Sequence, residues 1–179
     1  MFLFSRELPL STTRWNEAVP IALRSALMNE PVPKTDPVPI DMDRSGVDRC
    51  FGCGQDNEDG LRLVFSQYED GTVEARHQTA SHHCGLDTVV HGGIQATILD
   101  EVMGVAAQMS LPDDANDMAC VTAEMHLTYR RPVPMDEEVV ATARVVRIDG
   151  RDFHVEGAIS APDGTELTGA VSRWRQLRV

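Results

Sequence analysis

One segment governs what this chain can become: His91-Gly-Gly-Ile-Gln-Ala-Thr-Ile-Leu-Asp-Glu-Val-Met-Gly-Val-Ala-Ala107. Ile94, Ile98, Leu99, Val102, Met103 and Ala106 recur in it at steps of three and four, the spacing of a helix with a broad apolar face. Gly92, Gly93, Ala96, Gly104, Ala106 and Ala107 keep the helix slim, so neighbouring elements can close around it. A helix this apolar has to be wrapped. The chain that follows offers only strands for the purpose: Ala119 to Tyr129, Glu138 to Ile148, Phe153 to Ala161 and Glu166 to Gln176. These runs are rich in Val, Thr and aromatic residues, and the set Val139, Ala141, Ala143, Val145 places one face inward. Ile148-Asp149-Gly150 and Pro162-Asp163-Gly164 supply turns between them. Upstream, Leu61–Phe65 and Thr72–His77 alternate as half-buried strands do, with Asp70-Gly71 as a hairpin turn. Two strands, one helix and four antiparallel strands make an α+β plan, a curved antiparallel sheet wrapped around a central helix.

The first 45 residues do not fit that plan and read as an N-terminal extension, leaving 46–179 as the domain. The extension holds a helix-like stretch from Trp15 to Met28, with Ser11, Thr12 and Thr13 as candidate caps and Pro20 as a kink or first turn. Pro31-Val-Pro-Lys-Thr-Asp-Pro-Val-Pro39 then suits an extended linker, because proline fixes its own φ and turns its predecessor away from helix.

A formal charge of −12 over 179 residues argues against a nucleic-acid partner, which relies on a basic footprint. Any phosphate-bearing ligand would need a local cluster of arginines. No apolar stretch approaches the roughly 20 residues that span a bilayer, so no membrane partner is expected. The opening Met-Phe-Leu-Phe-Ser-Arg-Glu lacks the pattern of a signal peptide, and the expected location is cytoplasmic. The four cysteines are then free thiols or metal ligands rather than a disulfide framework.

Two features of the central helix carry chemistry. Its start, His91-Gly92-Gly93, presents backbone N–H groups at the positive end of the helix dipole, where they bind or polarise oxygen. The same glycines would also serve simple close packing. Asp100 stands within the apolar pattern, with Glu101 about 100° away around the axis, so at most one of the two shares the buried face. A desolvated carboxylate is suited to acid–base work, whereas a solvated one at the helix edge is ordinary. His91 and Asp100 are nine positions apart, about 13.5 Å along the axis and half a turn out of phase. Groups acting on one carbonyl must come within roughly 3–3.5 Å of it. If both act, a second chain completes the site.

The segment from His91 to Gly104 resembles the signature of hotdog-fold thioesterases of the phenylacetate-pathway type, with His-Gly-Gly followed by an acid nine positions after the His. Val121-Thr-Ala-Glu-Met-His-Leu-Thr-Tyr-Arg-Arg-Pro-Val-Pro134 is similar to the next strand of that family, and Cys50-Phe-Gly-Cys-Gly-Gln-Asp-Asn-Glu-Asp-Gly-Leu-Arg-Leu63 to the entry segment of one bacterial branch. The resemblance implies hydrolysis of an acyl-CoA to free acid and coenzyme A by a homo-oligomer, a dimer or a dimer of dimers, with its site shared between subunits. Asp100 would be general base or nucleophile, the Gly92 N–H the oxyanion donor, His91 a support for that loop, and Thr122 an orienting hydroxyl. Gly93, His83, Arg130 and Arg131 are candidate substrate-binding residues, the arginines for coenzyme A phosphates. No cofactor beyond the substrate's coenzyme A is expected. Many relatives carry Asn or Gln six residues before the His; here that position is Gly85, with His82, His83 and Asp87 as candidate substitutes. A non-catalytic acyl-CoA or acyl-carrier binding protein is the alternative, and a hotdog hydratase a third reading.

Cys50-x-x-Cys53 followed by His82-His83-Cys84 invites a zinc reading, but packing of the entry turn is the expected role and no metal is assigned. Cys120 and Met103 read as core, as does Met109. Arg147, Arg151, Arg173 and Arg175 are further phosphate candidates or plain surface ion pairs.

Overall fold

The apolar helix forms where its spacing places it, as α1 (Gly92–Met109), capped by His91 and ending at Ser110 before Leu111-Pro112. In the computed structural model residues 36–42, 48–112, 115 and 118–178 are described. The helix-like stretch from Trp15 to Met28 and the first part of the proline-rich linker lie outside the described residues. The strands run in chain order β1 (Val38–Pro39), β2 (Ser66–Gln67), β3 (Val73–Gln78), β4 (Cys84–Leu86), β5 (Val89–Val90), then after α1 β6 (Met118–Tyr129), β7 (Glu138–Asp149), β8 (Asp152–Ser160) and β9 (Glu166–Arg178). Seven of them make one antiparallel sheet in the order β1-β2-β3-β7-β8-β9-β6, while β4 and β5 pair separately just before the helix.

The sheet encloses α1, which packs on β3, β6, β7, β8 and β9. Ile98, Leu99, Val102 and Met103 are at most 1% exposed, against inward residues such as Val139, Ala141, Val155 and Ile159. Burying four such side chains contributes on the order of 1.5–3 kcal/mol each. The approach is close enough to need a small residue. A Cβ on Gly104 would stand 2.7 Å from the Trp174 ring, inside contact distance. Gly71, Gly150 and Gly164 occupy left-handed positions at the three expected turns.

Two expectations change. Leu61–Phe65 is not a strand. The Leu61 and Leu63 N–H groups donate to the carbonyls of Phe51 and Gly52 at 2.8 and 3.0 Å, and the Phe65 carbonyl accepts from Ile40 at 2.9 Å. The segment is thus pinned by the entry turn and by the residue after β1, and its apolar alternation survives as the burial of Leu61, Leu63 and Phe65. Pairing with the sheet begins only at Ser66. Met109 is 42% exposed rather than core, because the helix is leaving the sheet at its last turn. No helix among the described residues is long and apolar enough to cross a membrane.

Gly104→Val should lower stability by about 1–3 kcal/mol through overpacking against Trp174, read as a reduced urea midpoint.

Candidate active site

The start of α1 is held from several sides, and one donor is left over. The His91 Nδ1 accepts the Gly93 N–H at 2.9 Å, and the His91 carbonyl accepts from Ile94 and Gln95 at 3.0 and 3.2 Å. The Gly92 N–H has no protein acceptor among the described residues. Gly93 is therefore engaged in capping, and Gly92 presents the free amide. Tyr129 Oη donates to the Gly92 carbonyl at 3.0 Å, fixing the end of β6 to this first turn. Gln95, 4% exposed, donates to the Val90 carbonyl at 2.9 Å and accepts from Thr168 Oγ1 at 2.6 Å, so its amide is satisfied inside the core. These bonds fix where the Gly92 amide points. It borders a groove of about 630 Å³ that also holds Gly85, Leu86, Tyr129, Arg130 and Arg131.

Asp100 lies two turns further along. It is half-buried, and its Oδ1 accepts from Thr122 Oγ1 at 2.7 Å. Burial pushes its carboxyl above the ordinary carboxylate range and the neighbouring Glu101 charge adds to this, while the Thr122 hydrogen bond opposes it. Asp100 borders a second cavity, about 210 Å³, with Met42, Glu101, Gly104, Gln108 and Trp174. Thr122 is delivered by a register irregularity: β6 pairs Thr122 with Trp174 and Glu124 with Arg173, leaving Ala123 as the extra residue. The two cavities share no lining residue. Within one chain, then, Asp100 meets Thr122, while His91, Gly92, Gly93, Arg130 and Arg131 gather at the other groove.

The remaining candidates fall elsewhere. His83 is 5% exposed and outside both cavities; its Nδ1 accepts the Ala80 N–H at 3.2 Å and its carbonyl accepts the His91 N–H at 2.8 Å, so it braces the loop. Gly85 has no room for an amide side chain, since a Cβ there would lie 2.8 Å from the His91 Cα. His82 and Asp87 are exposed and line neither cavity. Arg130 is paired with Glu166 Oε1, and Arg131 donates to the Glu166 carbonyl at 2.8 Å; each keeps donors beyond these. Arg175 grips Asp152 through two bonds of 2.5 and 2.8 Å, Arg173 lies 3.4 Å from the same carboxylate, and Arg147 is 3.5 Å from Asp149. These are surface ion pairs. Burial raises the Cys120 thiol to about 11, which removes it as a nucleophile at neutral pH. Gln95 and Tyr129 are the site residues that sequence reading missed. A polar residue inside an apolar face and an aromatic beside two arginines were their only signals.

The sequence profile of the thioesterase superfamily matches residues 87–168, which span α1, β6, β7 and β8. A provisionally named esterase of Halobacterium salinarum is 32% identical over 109 residues, 59% of this chain and 70% of that protein. This chain belongs to the thioesterase superfamily. The acyl-coenzyme A thioesterase THEM4 of Mus musculus is 30% identical over 114 residues, 62% of this chain and 46% of its own length. The chain spans about half the length of the THEM4 relatives it matches. Among solved structures, a Bacillus halodurans protein crystallised with CoA superposes with a TM-score of 0.57 at 28% identity, covering 66% of this chain and 76% of that one. A helix enclosed by an antiparallel sheet is the hotdog fold expected for a thioesterase-superfamily chain.

Three histidines, His77 on β3 with His82 and His83 in the loop after it, cluster ahead of the His91-Gly92-Gly93 start of α1. The His77 and His83 rings lie 5.3 Å apart, and those of His82 and His83 lie 4.2 Å apart. His77 Nε2 is buried without a hydrogen-bond partner among the described residues. Burial, reinforced by His83 and then His82, lowers His77 from 6.5 to about 4. On unfolding it regains an ordinary affinity for protons. The unfolded chain therefore binds the extra proton between these values, and stability is full above about pH 6.5 and falls toward pH 4. His77→Phe should flatten part of that decline in urea midpoints measured across pH.

Proposed function

We propose that this chain is an acyl-CoA thioesterase that hydrolyses a thioester at a site completed by a second copy of itself. The observation that carries the reading is the placement of Asp100. It projects from the wall of an otherwise apolar helix into a cavity and is oriented by the Thr122 hydroxyl. The free Gly92 amide faces a different groove, eight residues or about 12 Å back along the helix. A partner's α1 start brought against Asp100 would supply the oxyanion donor that one chain lacks there. β6 favours such pairing: it is an edge strand whose one strand neighbour among the described residues is β9, and it carries exposed Val121 and Tyr129.

In the assembled site Asp100 accepts a proton from water as the water oxygen attacks the thioester carbon. The developing oxyanion rests on the Gly92 N–H at the positive end of α1. The carbon–sulfur bond then breaks, the coenzyme A thiolate takes up a proton, and the free acid remains. Attack by the Asp100 carboxylate itself, followed by hydrolysis of the anhydride, reaches the same products. Arg130 and Arg131 beside Gly92 are suited to the phosphates of coenzyme A, which the net charge of −12 would otherwise repel. The similarity to THEM4, an acyl-CoA thioesterase, and to a protein crystallised with CoA supports that substrate class.

One observation favours a second reading, a binding protein for acyl-CoA or an acyl carrier without turnover. The position at which the resemblance calls for an amide side chain is Gly85, where a Cβ would lie 2.8 Å from the His91 Cα.

Release of free thiol from short, medium and aryl acyl-CoAs separates the two. Hydrolysis by the wild type is expected, with Asp100→Asn lowering kcat by about 10²–10⁴ and KM changing little. Acyl-CoA binding without thiol release in the wild type would select the second reading. Light scattering should give a dimer or larger; a strict monomer with full activity would remove the shared site.

A further inference from the structure

The Cys50-Phe51-Gly52-Cys53 turn lies over the middle of α1, and three donor atoms converge where they meet. Cys50 Sγ is 3.3 Å from Cys53 Sγ and 3.3 Å from Glu101 Oε1. All three donors lie within 4.8 Å of one another, with Cys53 buried and the other two residues half-buried. The turn is moulded to the carboxylate. A Cβ on Gly52 would stand 2.2 Å from Glu101 Cγ and 2.4 Å from its Oε1. The turn is also fixed by its own backbone bonds, Gly54 N–H to the Cys50 carbonyl at 2.9 Å and the Leu61 and Leu63 amides to Phe51 and Gly52 at 2.8 and 3.0 Å.

As bare side chains these three groups suit each other poorly. The Glu101 carboxylate is met by a thiol, a weak donor, and half-burial leaves less water to stand in for stronger ones. A divalent cation would satisfy all three at once. Two sulfurs at Cys-x-x-Cys spacing select a soft or borderline metal over calcium or magnesium, and a carboxylate as third ligand is common for zinc. Tetrahedral zinc with bonds of about 2.3 Å to sulfur and 2.0–2.2 Å to oxygen sets neighbouring donors roughly 3.5–3.8 Å apart. The 3.3 Å separations need to open by only a few tenths of an ångström.

We propose that Cys50, Cys53 and Glu101 bind one zinc ion, with water as the fourth ligand. Coordination converts both thiols to thiolates and releases two protons to solvent, with no change of oxidation state. The ion ties the entry segment to α1 across 51 positions of sequence, one residue from Asp100. The histidines at 82 and 83, which sequence spacing offers as the other zinc ligands, are not in the cluster. The site stands whether or not Asp100 hydrolyses thioesters.

The test is a titration of the full chain, reduced and stripped of metal by chelator, with cobalt(II) and then zinc under anaerobic conditions. Expected are a thiolate-to-cobalt charge-transfer band that saturates at one equivalent, its displacement by zinc, and a rise in Tm with zinc. Cys50→Ser should remove most of the band and the Tm rise. Glu101→Gln should keep the band yet weaken zinc binding at least tenfold, which separates ligation from a mere folding defect. Absence of a thiolate band in the reduced wild type overturns the site, and unchanged zinc affinity in Glu101→Gln overturns the carboxylate's part in it.

Discussion

Ile98, Leu99, Val102 and Met103 leave no surface of α1 for water on the side facing the sheet, and this enclosure sets the position of every other group of interest. A helix surrounded by β3, β6, β7, β8 and β9 cannot slide or turn without opening the core. Its ends and its uncovered stripe are therefore fixed in space. The first turn is further clamped by Tyr129 and by the Gln95–Thr168 pair, which bind the helix start to both β6 and β9. Preorganisation of the Gly92 amide is a by-product of packing rather than of a dedicated loop.

Within its apolar pattern α1 carries an adjacent pair of acids, Asp100 and Glu101, and the two have different surroundings. Asp100 points to β6 and meets a hydroxyl; Glu101 points to the entry turn and meets a thiol. The 100° step between consecutive helical residues is enough to send one carboxylate to each. Burial raises the Asp100 carboxyl and Thr122 restrains that rise, a balance that would suit the general-base role proposed for it.

Much of this was legible in the sequence because it rests on periodicity. The helix, the four long strands after it and the glycine turns follow from spacing alone, and each of those four strands lies within two residues of its expected bounds. The Thr122–Asp100 contact was reachable through resemblance, since one strand position had to face the helix acid. What pattern could not give were contacts that depend on packing. Leu61–Phe65 alternates like a strand but spends its amides on the entry turn. His83 looked like a loop histidine free to meet substrate, yet it is buried and braces the His91 backbone. Gln95 drew no notice in the sequence, yet its amide joins a carbonyl before the helix to a hydroxyl on β9. Glu101 could not be matched to Cys50 and Cys53 by any spacing rule, because it lies 51 positions beyond Cys50 and only the closing of the entry turn brings the three together.

The neighbouring acids also limit how this gene can drift. Inserting or deleting one residue between His91 and Asp100 would swing everything downstream by about 100° around the axis. Asp100 would be carried off Thr122, Glu101 off the cysteines, and Leu99 out of the core in a single event. Length changes are thus confined to the connections outside α1, and inside it the chain can vary only by substitution.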